Sequence, residues 1–159
     1  MTDKILIVIV SFFCSVGFGI VFRIRPKALW LAGLAGSFTR TVLLCAMSFT
    51  DNRLLYTFLA SLAGTAYAHL LARKLHIPIT KFMYPALVPI IPGDMLYNTA
   101  VCMVSVSPEL KLYAGNLLQS MIGLGLGTII TPLVLNSKKY LRQVMQSPMD
   151  MTAEEIGQA

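Results

Sequence analysis

Charge is what this sequence has least of. Lys, Arg, Asp and Glu together make up 13% of its 159 residues, where a soluble domain carries about 25%. Acidic side chains are the scarcer kind, seven against thirteen basic ones. Histidine occurs twice, at His69 and His76, too isolated to argue a metal. Cysteine occurs at Cys14, Cys45 and Cys102, an odd count with no Cys-x-x-Cys spacing. That argues against a disulfide framework or a zinc site and leaves the three as small buried hydrophobes. Also missing are a phosphate-binding glycine loop and a serine or cysteine set beside a histidine base. The chain reads as no enzyme and as needing no cofactor, and its loops are too short to hold a catalytic domain.

What is present is apolar sequence. Hydrophobic residues make up 56% and the mean hydropathy is +0.71. Long oily runs alternate with short charged clusters, the pattern of a membrane protein. The expected fold is an all-α polytopic bundle of five transmembrane helices, at about 5–22, 28–49, 54–72, 82–106 and 112–135. Residues 1–136 form the membrane domain. Residues 137–159 form a tail with a short interfacial helix and a partly disordered end. The first run is followed by "RIRPK" and no small-residue cleavage site, so it reads as an uncleaved anchor.

The basic residues then fall into a pattern. Arg23, Arg25, Lys27, Arg73, Lys74, Lys81, Lys138, Lys139 and Arg142 gather on one side of a five-span bundle. Lys4, Arg53 and Lys111 fall on the other, beside Asp3, Asp51 and Glu109. The positive-inside rule puts the N-terminus outside and the C-terminus in the cytoplasm. The net charge of +6 is therefore topological. Basic residues flank apolar runs and do not interleave with aromatics, so nucleic acid is not an expected partner.

Small residues recur every four positions: Ser11, Ser15 and Gly19; Gly33, Ser37 and Thr41; Ala60, Gly64, Ala68 and Ala72; Gly115, Gly123 and Gly127. Helices in lipid associate by close backbone approach, which small side chains permit. These ridges are expected packing seams.

Two features go beyond packing. Arg40 lies well inside the second span, and a guanidinium at that depth usually faces a partner or a water-filled cavity. It is either an anion site, its fork suiting a carboxylate, or half of a structural ion pair with an acid such as Asp94. The second feature is "PALVPIIPGDMLYN" at 85–98. Pro85, Pro89 and Pro92 each delete a helical hydrogen bond, and Pro92-Gly93 is a turn signal. Half-helices are expected at 82–91 and 94–106, joined by unwound backbone, a device by which secondary transporters build midplane sites. Asp94 opens the second half-helix. It either caps it, pairs with Arg40, binds an ammonium or carries a proton. Asn98, Asn116 and Gln119 are further candidates, as interhelical glue or as orienting groups for a small-molecule substrate.

The stretch at 72–100 resembles the C-terminal membrane module of the threonine/serine exporter (ThrE) family. The resemblance rests on Arg73, Lys74, Pro78 and the P-x-x-P-G-x-x-x-Y element Pro89, Pro92, Gly93 and Tyr97. Upstream, Gly33, Gly36 and Arg40 form a G-x-x-G-x-x-x-R pattern similar to the stand-alone small membrane subunit of that family, the YjjB type. Asp94 departs from the family, in which an apolar or small residue follows the P-G pair. The resemblance implies a membrane subunit exporting small carboxylate-bearing metabolites across the bacterial inner membrane, either threonine and serine or a dicarboxylate such as succinate. It also implies a separate, larger subunit. A non-conducting scaffold for that subunit and a homo-oligomeric channel are the competing readings.

Overall fold

The computed structural model describes the backbone of residues 2–106 and 108–157 and the side chains of 4–106 and 108–135. Its elements are α1 (Thr2–Val21), α2 (Pro26–Phe49), α3 (Arg53–Leu75), α4 (Thr80–Leu87), a 3₁₀ turn (Val88–Ile90), α5 (Gly93–Val104) and α6 (Leu110–Gly157). No strand occurs among the described residues. Lys4–Val21, Pro26–Phe49, Arg53–Leu75 and Leu110–Leu135 are each long and apolar enough to cross a membrane. A fifth span is the pair Thr80–Ile90 and Gly93–Val104, bent by 58°. A bend of that size keeps both halves advancing in one general direction. With each half tilted equally, the pair rises about 30 Å, the thickness of the hydrocarbon core. The protein is a multi-pass, all-α membrane protein.

Helix ends follow local rules. Pro26 begins α2, where its missing N–H costs nothing. The Asn52 side chain caps α3 by accepting from the Leu54 N–H at 3.2 Å. The expected boundary at residue 136 does not interrupt α6, whose helical backbone runs on to Gly157; the side chains of that tail lie outside the described residues.

The core is built from small residues. Ala28, Ala32 and Ala35 of α2, Ala68 and Ala72 of α3, and Ala86 of α4 pack around Phe82, which is fully buried. A second cluster joins Leu43, Ala46, Tyr56, Ala60, Leu87 and Ile90. Hydroxyls stitch the seams. Ser61 Oγ donates to the Gly123 carbonyl at 3.2 Å, and Ser37 Oγ donates to the Val8 carbonyl at 3.3 Å.

Most of the expected ridges are seams. A Cβ on Gly123 would lie 2.6 Å from the Leu54 carbonyl oxygen, so α6 and α3 meet backbone to backbone there. Gly115 is different, with open space where its Cβ would be. It sits two helical turns from Gly123, where α6 has left α3. Cys102 is buried as expected, but Cys14 and Cys45 are exposed. On helices that meet lipid on their outer face, an apolar thiol has no need to be inside.

Candidate functional site

The proline pattern explains the break atom by atom. In a regular helix the Pro89 carbonyl would accept from the N–H of residue 93, or of residue 92 in a tighter turn. Pro92 has no N–H. The Gly93 N–H turns back to the Ile91 carbonyl at 2.8 Å. Pro92 sits between them at φ −79° and ψ 66°, an inverse γ-turn. The Pro89 carbonyl is thus freed near mid-span, where water is scarce.

Arg40 fills that vacancy. It is the fifteenth residue of α2, nine before its end at Phe49. Its Nη1 donates to the Pro89 carbonyl at 3.0 Å. Its Nε is buried with no hydrogen-bond partner. The close approach of α2 allows this reach. Gly36, one turn before Arg40, lies against Ser15 and Pro89, with no room for a side chain.

On one side of Arg40 lies a cavity of about 150 Å³. It is lined by Arg40, Leu43 and Met47 of α2, Arg53, Tyr56 and Thr57 of α3, Ile90, Ile91, Pro92, Asp94 and Met95 at the break, and Ser120 of α6. Drug-sized pockets run to ~300–1,000 Å³, so this one suits a metabolite of few heavy atoms. Two guanidiniums and one carboxylate share its wall. Arg53 is weakly engaged: among the described residues its Nη1 donates to the Met95 thioether at 3.0 Å, a weak acceptor. On the other side, Arg40 and Pro89 also line an apolar cleft of about 340 Å³ against α1. Arg40 therefore stands between a charged cavity and an apolar cleft.

Several expectations change at this point. No ion pair joins Arg40 to Asp94 among the described residues; Arg40 bonds to the carbonyl that the break sets free, and Asp94 is exposed on the cavity wall. Asp94 does not cap α5 either. Pro92 holds the cap position, with no side-chain cap bond, and Asp94 falls in the first turn. The first half-helix ends earlier than expected: α4 stops at Leu87, the 3₁₀ turn carries the chain through Ile90, and the break falls at Ile91 and Pro92. Gly93 is not there for a left-handed conformation, since no glycine has positive φ among the described residues.

Of the other candidates, Asn98 and Asn116 are half-buried on α5 and α6, and Gln119 and Tyr97 are exposed. None of the four lines the Arg40 cavity. Arg53 and Ser120 do, and the sequence reading missed both. A signal existed for Arg53. A cation in the first turn of a helix opposes the macrodipole, so its place at the start of α3 needed a reason beyond topology.

A family model described as a threonine/serine exporter matches residues 7–134. The chain belongs to the threonine/serine exporter family. No curated protein and no solved structure gives a significant match. In this member of the exporter family the matched segment holds every residue lining the Arg40 cavity, the broken span included.

Proposed function

We propose that this chain is the membrane subunit of an exporter for small carboxylate-bearing metabolites, and that its substrate is an amino-acid zwitterion such as threonine or serine. The observation that carries this reading is the shared wall of Arg40, Arg53 and Asp94. A guanidinium fork matches a carboxylate, and Asp94 matches an ammonium. A dicarboxylate would meet the same Asp94 as a like charge, which disfavours succinate. Thr57 and Ser120 bring hydroxyls to the same wall. Their protons are already given to the Arg53 and Asn116 carbonyls, so their oxygens are free to accept from a substrate hydroxyl. The Gly93 end of α5 adds a field that favours the carboxylate. Asn98, Asn116 and Gln119 belong in this reading to the path along α5 and α6, beyond the cavity.

The proposal includes a larger membrane subunit of the same exporter as partner. It places the chain in the bacterial inner membrane, N-terminus outside and C-terminus cytoplasmic, on the basic-residue asymmetry. Efflux from reconstituted vesicles tests it, with threonine, serine and succinate measured with and without the partner. Threonine or serine efflux that Arg40→Gln abolishes is the expected result. Succinate efflux exceeding both would refute the zwitterion. Efflux from this chain alone would favour a homo-oligomeric channel, and efflux indifferent to Arg40 would leave the chain a scaffold.

A further inference from the structure

The turns after α1 and α3 are built alike. Arg23 and His76 each follow a helix and each take φ of 52°. That left-handed position is usually glycine, because a Cβ is crowded there. After α1, the Arg23 N–H bonds the Ile20 carbonyl and the Ile24 N–H bonds the Gly19 carbonyl, the Schellman pattern. After α3, the His76 and Ile77 N–H groups both reach the Ala72 carbonyl. In each turn an isoleucine then packs into the same core, and a proline, Pro26 or Pro78, follows.

The two turns enclose a cavity of about 220 Å³, lined by Arg23, Arg25, His76 and Lys81 together with Ile24, Leu75, Ile77 and Pro78. No carboxylate lines it. The acidic side chains described, Asp51, Asp94 and Glu109, belong to other parts of the chain. Two helix C-termini point here, each equivalent to roughly half a negative charge. Arg23, Arg25 and Lys81 outweigh them.

Simpler duties do not explain this arrangement. Glycine would close both helices without strain. Arg73 and Lys74 already supply the cations that suit the end of α3. Lys27, Arg73 and Lys74 bias topology without lining the cavity. Val106, after α5, also takes positive φ; what sets these two turns apart is that each holds a basic side chain toward one shared space, and strain of this kind clusters at ligand clamps. Its level is interfacial. Tyr84 stacks on Phe22 at 5.1 Å nearby, and Trp30 is exposed with its Nε1–H bonded to the Lys27 carbonyl. Such aromatics sit at the headgroup boundary.

We propose that this cavity binds a phosphate group, carried either by an anionic phospholipid headgroup or by a free phosphate. Guanidiniums pair with phosphate oxygens in bidentate fashion, and Lys81 adds a point charge. The site is separate from the Arg40 cavity, shares no residue with it, and stands whatever the exporter carries.

The test uses the full chain in two arms. In one, delipidated protein in neutral detergent is titrated with inorganic phosphate by calorimetry. In the other, protein in phosphatidylcholine nanodiscs containing a minor share of phosphatidylglycerol is examined by native mass spectrometry for retained lipid. Binding in the lipid arm alone assigns a headgroup; binding in the phosphate arm assigns the free anion. In whichever arm binds, Arg23→Gly and Lys81→Gln should each weaken it about tenfold, the worth of one charge-assisted contact. Glycine suits the Arg23 backbone, so that variant keeps its fold. Lys27→Gln removes the same charge four residues further on, in the first turn of α2 and outside the cavity, and should leave binding unchanged. No binding in either arm overturns the proposal, and so do equal losses from Lys27→Gln and Arg23→Gly, which would mark diffuse surface charge.

Discussion

Arg40 donates from Nη1 to the carbonyl of Pro89 at 3.0 Å, across forty-nine positions of chain. This bond ties α2 to the broken span at the level where the cavity begins. A single neutral carbonyl engages one arm of the guanidinium; a carboxylate offers two parallel bonds and an opposite charge. In the proposed function, a substrate carboxylate would compete for Arg40, and the break would respond because it would lose or share its donor.

Substitution at Arg40 should separate binding from folding. Arg40→Lys keeps the charge but loses the fork, so export should fall while the protein still inserts. Arg40→Gln should lower export further, and should cost about 1–3 kcal/mol by weakening the donation to the Pro89 carbonyl. Asp94→Asn should leave stability within about 0.5 kcal/mol, since no ion pair is lost, yet reduce amino-acid export. The double variant should be about as stable as Arg40→Gln alone, and inactive. Full export from a stable Arg40→Gln/Asp94→Asn protein would end the binding role.

The bend depends on a missing N–H. Pro92→Ala restores a donor and lets the Gly93 N–H return to the Pro89 carbonyl. Straightening the pair would lengthen it by about 4 Å at 1.5 Å per residue. Spin labels near Thr80 and Val104 should report that change, together with loss of export. Gly93→Ala makes the contrast. With no positive φ and open space at its Cβ, it should be tolerated within about 0.5 kcal/mol. An unchanged label distance in Pro92→Ala would show that packing, not the missing donor, sets the bend.

Glycines on α6 should divide by what faces them. Gly123→Ala meets the Leu54 carbonyl oxygen and should destabilise by about 1–3 kcal/mol, as overpacking does. Gly125→Ala meets nothing within 4 Å and should be neutral, or stabilising by up to ~1 kcal/mol through helix propensity. Unfolding midpoints of both variants in detergent check this. Equal effects would mean that the α3–α6 seam is looser than the geometry shows.

Orientation is tested by reporter fusions. A reporter after residue 142 should behave as cytoplasmic, and one at Asp51 as extracytoplasmic. Reversal at either position would overturn the proposed topology and move the Arg53 end of the cavity to the opposite face.

The sequence by itself determined the membrane class, the helices to within a few residues except at the far end of α6, the break in the fourth span and Arg40 as the residue to watch. Each is a local consequence: apolar runs must satisfy their backbone as helix, proline lacks an N–H, and a guanidinium deep in a span must be met by something polar. Only the tertiary structure decided what meets it. Asp94, the one acid within the spans, was one partner the sequence offered, a bound anion the other. The partner is instead the Pro89 carbonyl, since a broken helix frees backbone acceptors that no residue letter displays. Arg53 and Ser120 joined the cavity for the same reason. Their roles depend on which faces α3 and α6 turn toward the break. Helix packing through Gly64, Gly123 and Gly127 fixes that, and a pattern of small residues marks a seam without saying which helix lies across it.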